Sequence, residues 1–148
     1  MTILCTNKKA SFKYTFLKKM ETGIVLEGWE VKSIKSGHAQ ISESYVTIND
    51  NEAYLINSHL KVLSTISEHE KANSRRARKL LLKKREIATL IGEIKQNGFA
   101  IVPTKIYTKK ALIKLEIAIA KGKKSFDKRA DIKKREWERS KERILKKK

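Results

Sequence analysis

ISESYVTINDNEAYLI, residues 41–56, is the stretch from which the fold class follows. Ile41, Glu43, Tyr45 and Thr47 alternate with Val46 and Ile48, the period of an extended chain. Asn49-Asp50-Asn51 is turn chemistry, and Ala53-Tyr54-Leu55-Ile56 resumes the strand pattern. Asn and Asp tolerate the left-handed backbone that tight hairpins need, so the stretch reads as a β-hairpin.

Downstream, residues 57–74 are polar and irregular, a loop with some strand near Leu60 to Leu63. From Arg75 to Gln96 the pattern becomes helical: Leu80, Ile87, Ile91 and Ile94 recur on one face, and Asn97-Gly98 supplies the stop. Strand alternation then returns. Ile113, Leu115, Ile117 and Ile119 alternate with Lys114, Glu116 and Ala118, after a strand over 100–107 and a turn at Thr108-Lys109-Lys110. Pro103 lacks an N–H, so its strand is at an edge or broken there. Upstream, EGWEVKSIKSG fits a short helix in which Val31 and Ile34 share a face and Gly37 stands where a C′ glycine belongs. Phe12 to Leu26 is strand material with a break near Met20 to Gly23, and residues 1–8 read as a flexible lead-in. The expected fold is mainly β with helices: a closed, oligonucleotide-binding-like antiparallel β-barrel of five or six strands, with one long and one short helix.

Composition points to the partner. Among 148 residues, 35 Lys/Arg stand against 16 Asp/Glu, a net charge of +19. The last 28 residues (Lys121 to Lys148) hold 14 basic and 5 acidic side chains. Residues 1–120 remain strongly basic without them, so the division expected is a β-barrel domain at 1–120 and a basic tail at 121–148. Lys/Arg cluster at Lys8-Lys9-Lys13, at Arg75 to Arg85 and in the tail, the electrostatic footprint of a polyanion binder. On a helical wheel Phe126, Trp137 and Ile144 align, but Ile132 and Leu145 fall away. So narrow a stripe cannot hold the tail on a domain. Pairs such as Asp131 with Arg135 add only ~0.2–0.5 kcal/mol each. The tail is therefore expected to be disordered when free and helical against a polyanion.

Several function classes are disfavoured. Gly122-Lys123-Lys124-Ser125 resembles half a phosphate loop, but that loop needs glycine at 117 and Ser/Thr at 124, where the chain has Ile117 and Lys124. His38, His59 and His69 lack metal-binding spacing, and no cysteine pair joins them. No nucleophile elbow occurs. No enzyme activity, metal or cofactor is expected. No apolar run is long enough to span a bilayer, the start lacks a secretory signal, and Cys5 is the lone cysteine. A cytoplasmic monomer is the expectation.

Four longer motifs go further. GxxLxGxEVKSxKxG (Gly23 to Gly37), SYVxI (Ser44 to Ile48), RxRKLLLxxREI (Arg76 to Ile87) and AKGKKxxDKRxDIKxREW (Ala120 to Trp137) occur in this order. Together they resemble the SsrA-binding protein family, bacterial partners of transfer-messenger RNA in trans-translation. The resemblance runs from about Asn7 to the end of the chain. It implies a barrel that holds the transfer-RNA-like part of transfer-messenger RNA, delivered with elongation factor Tu to a stalled ribosome. It also implies a tail that enters the empty messenger channel at the small-subunit decoding centre and becomes helical there.

Residue by residue, Asn7, Glu21 and Leu81 match family positions at the RNA-binding face. Lys83 replaces a polar residue there, a departure that favours phosphate contact. Gly122, Lys123 and Lys124 match the motif joining barrel to tail. Asp127, Lys128 and Arg129 match the tail motif needed for tag translation, and Trp137, Ile144 and Leu145 match positions that would pack in the channel. Lys9, Arg76 and Arg78 from the basic clusters join the RNA-binding set, and Lys133, Lys134 and Arg135 join the channel set. The segment Ser11 to Lys19 departs from the family's charge pattern. On residue type alone, Leu81 also fits a core position and Glu21 a capping carboxylate. Composition alone fits a structural ribosomal protein with a basic extension equally well. A peripheral membrane anchor is disfavoured by the narrow apolar stripe.

Overall fold

The computed structural model describes residues 1–62, 73–123, 135–137 and 139. The hairpin forms, but its first strand starts only at Tyr45: residues 41–44 make a turn, with Ser44 N–H donating to Ile41 O at 3.1 Å. β4 (Tyr45–Asn49) and β5 (Glu52–Ile56) pair in register from Tyr45↔Ile56 to Asn49↔Glu52. Asp50 and Asn51 take φ of 50° and 59°, the left-handed turn that matches the twist of the two strands.

Around it lies a seven-stranded antiparallel sheet, ordered β1-β8-β9-β2-β7-β5-β4. Its other members are β1 (Thr2–Thr6), β2 (Tyr14–Ile24), β7 (Arg78–Leu81), β8 (Ala100–Lys109) and β9 (Leu112–Gly122). The short strands β3 (Ala39–Gln40) and β6 (His59–Leu60) form a separate pair. One face of the large sheet buries Leu55, Leu80, Ile106, Leu115 and Ile117 against Trp29 and Ile34 of α2 (Gly28–Lys35) and Leu90 of α3 (Lys84–Asn97). Ala10 of α1 (Lys8–Lys13) covers Val102 and Ala120 in a second, smaller cluster.

The sheet is not the closed barrel expected from the sequence. β1 and β4 are its two free edges. β4 curls back near β8 without joining it in a ladder. Ile91, Ile94 and Phe99 line a cleft between them.

Other expectations also change. Residues 1–8 are not a loose lead-in among the described residues: β1 pairs with β8, and Asn7 caps α1. That helix makes a third beside the expected two. β2 runs unbroken through Met20 to Gly23, because β9 offers an equally long partner, and its irregularity falls between Phe16 and Lys18. The expected helix from Arg75 is a strand first. Arg78 and Leu80 are buried while Lys79 and Leu81 are exposed, a period of two. Gly23↔Leu81 and Leu55↔Arg78 supply ladders on both sides, and no local propensity encodes those partners. α3 begins only at Lys84 and ends, as expected, at Gly98 with φ of 65°. The second hairpin turns at Lys110-Ala111, a little later than read. Of the two readings for Pro103, the broken strand holds and the edge does not: it lies in an interior strand, at a bulge just past the end of β1.

The expected face of α2 is also revised. Trp29, Glu30, Ser33 and Ile34 are its buried residues, while Val31 is only half-buried. A glutamate with no exposed surface requires a charged partner. That partner is Arg78, whose Nε donates to Glu30 Oε2 at 2.5 Å.

Candidate nucleic-acid interface

Sequence-predicted site residues gather in two places, and two of them are turned inward. The first place is the outer face of the large sheet. Glu21 and Gly23 lie on one face of β2, and Gly23 is the register partner of Leu81. Two residues 58 apart in sequence are thus brought side by side. A Cβ at Gly23 would stand 3.1 Å from Leu81 Cδ1, so glycine leaves room for that side chain. Leu81 itself is 60% exposed, which answers the core alternative. Lys83 follows as the N-cap residue of α3, exposed, with its backbone N–H donating to Glu86 Oε1 at 2.8 Å.

Glu21 is held in place by Tyr107, whose hydroxyl donates to Oε1 at 2.5 Å, and by Lys109 at 3.4 Å from Oε2. The Tyr107 hydrogen bond, with smaller help from Lys109 and Lys114, keeps the Glu21 carboxyl below the ordinary carboxylate range. Burial and the same bond push the Tyr107 phenol well up, so it stays protonated as a donor. Around this pair stand cations that the sequence reading did not place in the RNA-binding set. Lys19 and Lys105 flank Glu116 at 3.8 and 3.6 Å. Lys18, Lys19 and Arg85 line a shallow groove with Glu21. The alternation of Lys114 and Glu116 was visible, but the register that sets them beside Lys19, Lys105 and Lys109 was not.

The second place is α1. Lys9 and Lys13 both pair with Glu43, the latter at 3.8 Å. Gly122 closes β9 opposite Tyr14. Lys123 follows, its N–H donating to Lys13 O at 3.0 Å and its Nζ to Ser11 O at 3.1 Å. Residues 135–137 are helical, and the Arg135 guanidinium lies 5.3 Å from the centre of the Phe12 ring, a cation–π contact. Trp137 is largely exposed. Lys124, Asp127, Lys128, Arg129, Lys133, Lys134, Ile144 and Leu145 lie outside the described residues, and so does most of the stripe on which the tail reading rests.

Asn7 and Arg78 are spent on the fold itself. Asn7 is buried; its amide donates to Ile41 O at 3.0 Å and Pro103 O at 2.8 Å, and its Oδ1 accepts from Ala10 N–H at 3.1 Å. Both amide protons are used, and the residue positions α1. Arg78 was read as an RNA contact, and the structure corrects this: it is 1% exposed. Its guanidinium joins Glu30 to Ser58 Oγ at 2.8 Å and to the carbonyls of Arg76 and Ser74 at 3.0 and 3.2 Å. Arg76 is half-buried and bonds the other oxygen of Glu30. Burial works against the Glu30 charge, but Arg76, the Glu27 amide and Arg78 outweigh it and hold the carboxyl below its ordinary range.

The fold and this surface define a strongly basic, mainly β protein with a patterned cationic face, built to meet a polyanion. Among the described residues no helix is long and apolar enough to cross a membrane.

Comparison with known proteins supplies the particular family. The family model described as SmpB protein matches residues 4–147. An SsrA-binding protein of Coxiella burnetii is 50% identical over 143 residues, covering 97% of this chain and 90% of that protein. One of Cupriavidus taiwanensis is 49% identical over 146 residues, covering 99% and 97%. A solved structure described as "tmRNA-SmpB: a journey to the center of the bacterial ribosome" superposes with a TM-score of 0.67 at 36% identity, covering 82% of this chain and 85% of that one. The chain belongs to the SmpB family of SsrA-binding proteins.

Proposed function

We propose that this protein binds the transfer-RNA-like part of transfer-messenger RNA and brings it to stalled ribosomes for trans-translation, without catalysing a reaction itself. The observation that carries this reading is near-full-length similarity, at about half identity, to proteins named for binding SsrA RNA. The described solved structure adds the ribosome as the setting. In this reading the RNA lies on the sheet face that presents Glu21, Leu81 and Lys83, with Lys19, Lys109 and Arg85 at the phosphates. The curl that brings β4 toward β8 supports an oligonucleotide-binding type of architecture with its seam left open.

The body extends to Lys123, since β9 runs past residue 120 to Gly122. Beyond it, Lys124 joins Gly122 and Lys123 at the phosphates of the transfer-messenger RNA, and Asp127 to Arg129, Lys133 to Arg135, Trp137, Ile144 and Leu145 act in the messenger channel. A basic segment with a narrow apolar stripe is suited to order only where ribosomal RNA surrounds it. Elongation factor Tu is met through the RNA, and the protein works as a cytoplasmic monomer.

The test is binding of the full-length protein to transfer-messenger RNA, near physiological salt, against a length-matched competitor RNA. Preference for the cognate RNA supports the proposal. Equal binding of both RNAs, with the protein retained on washed ribosomal subunits, would favour a structural ribosomal protein.

A further inference from the structure

β9 lies between β8 and β2 in the sheet, so the hydrogen bond from Tyr107 to Glu21 crosses a whole strand. Tyr107 makes that crossing as a buried residue. Its register partners are Ile3 on β1 and Lys114 on β9, Lys105 Nζ stands 5.5 Å from the centre of its ring, and only 4% of it is exposed. Glu116, the register partner of Glu21, has a different setting. It accepts from Thr104 Oγ1 at 2.7 Å and stands between Lys19 and Lys105, with its side chain 18% exposed. The Glu21 side chain is 38% exposed. Its Oε1 takes the Tyr107 hydroxyl, and Oε2 meets Lys109 at 3.4 Å. Full-strength charge-assisted bonds run to about 2.7–2.9 Å, so Oε2 keeps the capacity to accept from a ligand. An ordinary surface glutamate turns among several rotamers; this one is held by one oxygen while the other stays available.

We propose that Tyr107 is a positioning residue for RNA recognition, fixing the Glu21 carboxylate so that Oε2 accepts from a hydrogen-bond donor of the RNA. An ionised carboxylate only accepts hydrogen bonds, and it repels phosphate. Its ligand is therefore an amino or imino N–H on a base edge, or a ribose 2′-hydroxyl. Lys19, Lys105 and Lys109 stand around the two carboxylates and draw phosphates to either side. Fixing the carboxylate beforehand removes the ordering cost that a free side chain meets on binding. Phenylalanine would fill the same space and give Glu21 no donor. The inference rests on the RNA-binding reading above and extends it to a residue two strands away from Glu21.

The experiment measures affinity of the full-length protein for transfer-messenger RNA in a double-mutant cycle of Tyr107→Phe and Glu21→Ala. Tyr107→Phe is expected to weaken binding about three- to tenfold, the scale of one side chain that has to be ordered anew. Glu21→Ala should weaken it at least as much, and adding Tyr107→Phe to it should change nothing further. A merely structural tyrosine would instead lower the melting temperature and give affinity losses that multiply. Chemical probing of the bound RNA separates the two donors, since base-specific reagents read base edges and acylation reads the 2′-hydroxyl. Protection lost in both Glu21→Ala and Tyr107→Phe identifies the donor. Wild-type affinity in Tyr107→Phe overturns the proposal, as do multiplying losses in the cycle. So does an RNA with no Glu21-dependent protection, or with one that Tyr107→Phe retains. If the wild type does not prefer transfer-messenger RNA over a length-matched competitor, yet the cycle still shows the coupling, the positioning stands and the proposed function falls.

Discussion

Replacing Arg78 by methionine keeps most of the side-chain volume and removes a guanidinium that no solvent reaches. Breaking one side of a buried ion pair costs about 3–5 kcal/mol, because the remaining charge loses its compensation. Here Glu30 keeps Arg76 and the Glu27 N–H, which places the cost near the lower end, about 3 kcal/mol. The same change strips donors from Ser58 Oγ and from the Ser74 and Arg76 carbonyls, groups on either side of the connection between β6 and β7. A domain of this size has about 5–15 kcal/mol in all, so the variant should fold but unfold much more readily. Urea denaturation followed by tryptophan fluorescence reads this directly, since Trp29 is buried one residue before Glu30. The double variant Glu30→Leu, Arg78→Met removes both charges and should recover part of the loss, with a coupling energy above about 1 kcal/mol.

The pH dependence has a definite sign. Glu30 titrates below its ordinary value of 4.5 in the folded protein. Its contribution is therefore present above 4.5 and is lost as pH falls through the lowered folded value. Arg78→Met should shift that loss toward higher pH. A single variant within 1 kcal/mol of wild type, or a double variant equal to the sum of the singles, would refute the assignment of Arg78 to the fold rather than to RNA.

Tyr107→Phe removes the largest influence holding the Glu21 carboxyl down, so a carbon-detected NMR titration should find Glu21 moved up toward the ordinary carboxylate range. Gly98→Ala should cost about 1 kcal/mol by thermal melting, because its φ of 65° ends α3 in the left-handed region. Lys83→Glu, exposed and outside the core, should lower RNA affinity and reduce the salt slope by about one without altering the melting temperature. Joint replacement of Asp127, Lys128 and Arg129 by alanine should leave RNA affinity nearly intact while tagging of stalled chains stops in a reconstituted translation assay. Loss of RNA binding in that variant would undo the division of labour between body and tail.

The hairpin at 45–56, the short helix ending before Gly37 and the glycine stop at 98 were legible because each is written in neighbouring residues. A turn pair, an apolar period and a C′ glycine act within a few positions of themselves. The error at Arg75 to Leu82 has the opposite origin. A run of Arg, Lys and Leu has good helical propensity, and only the flanking strands β2 and β5 make it extended. Arg78 followed the same error: a basic residue in a basic cluster reads as surface until its strand register turns it toward Glu30, forty-eight residues earlier. Asn7 was recognised as important by resemblance, but its work of tying Ile41 and Pro103 to α1 is invisible without the tertiary contacts.

By itself, then, the sequence determined the chemistry of the partner and the family. Net charge, the basic clusters and four ordered motifs survive any folding of the chain. The tertiary structure decided which cations face outward, that Glu21 and Leu81 share one face of the sheet, and that the sheet stays open at β4. Those outcomes depend on strand register and on packing between distant segments, and local periodicity carries no record of either.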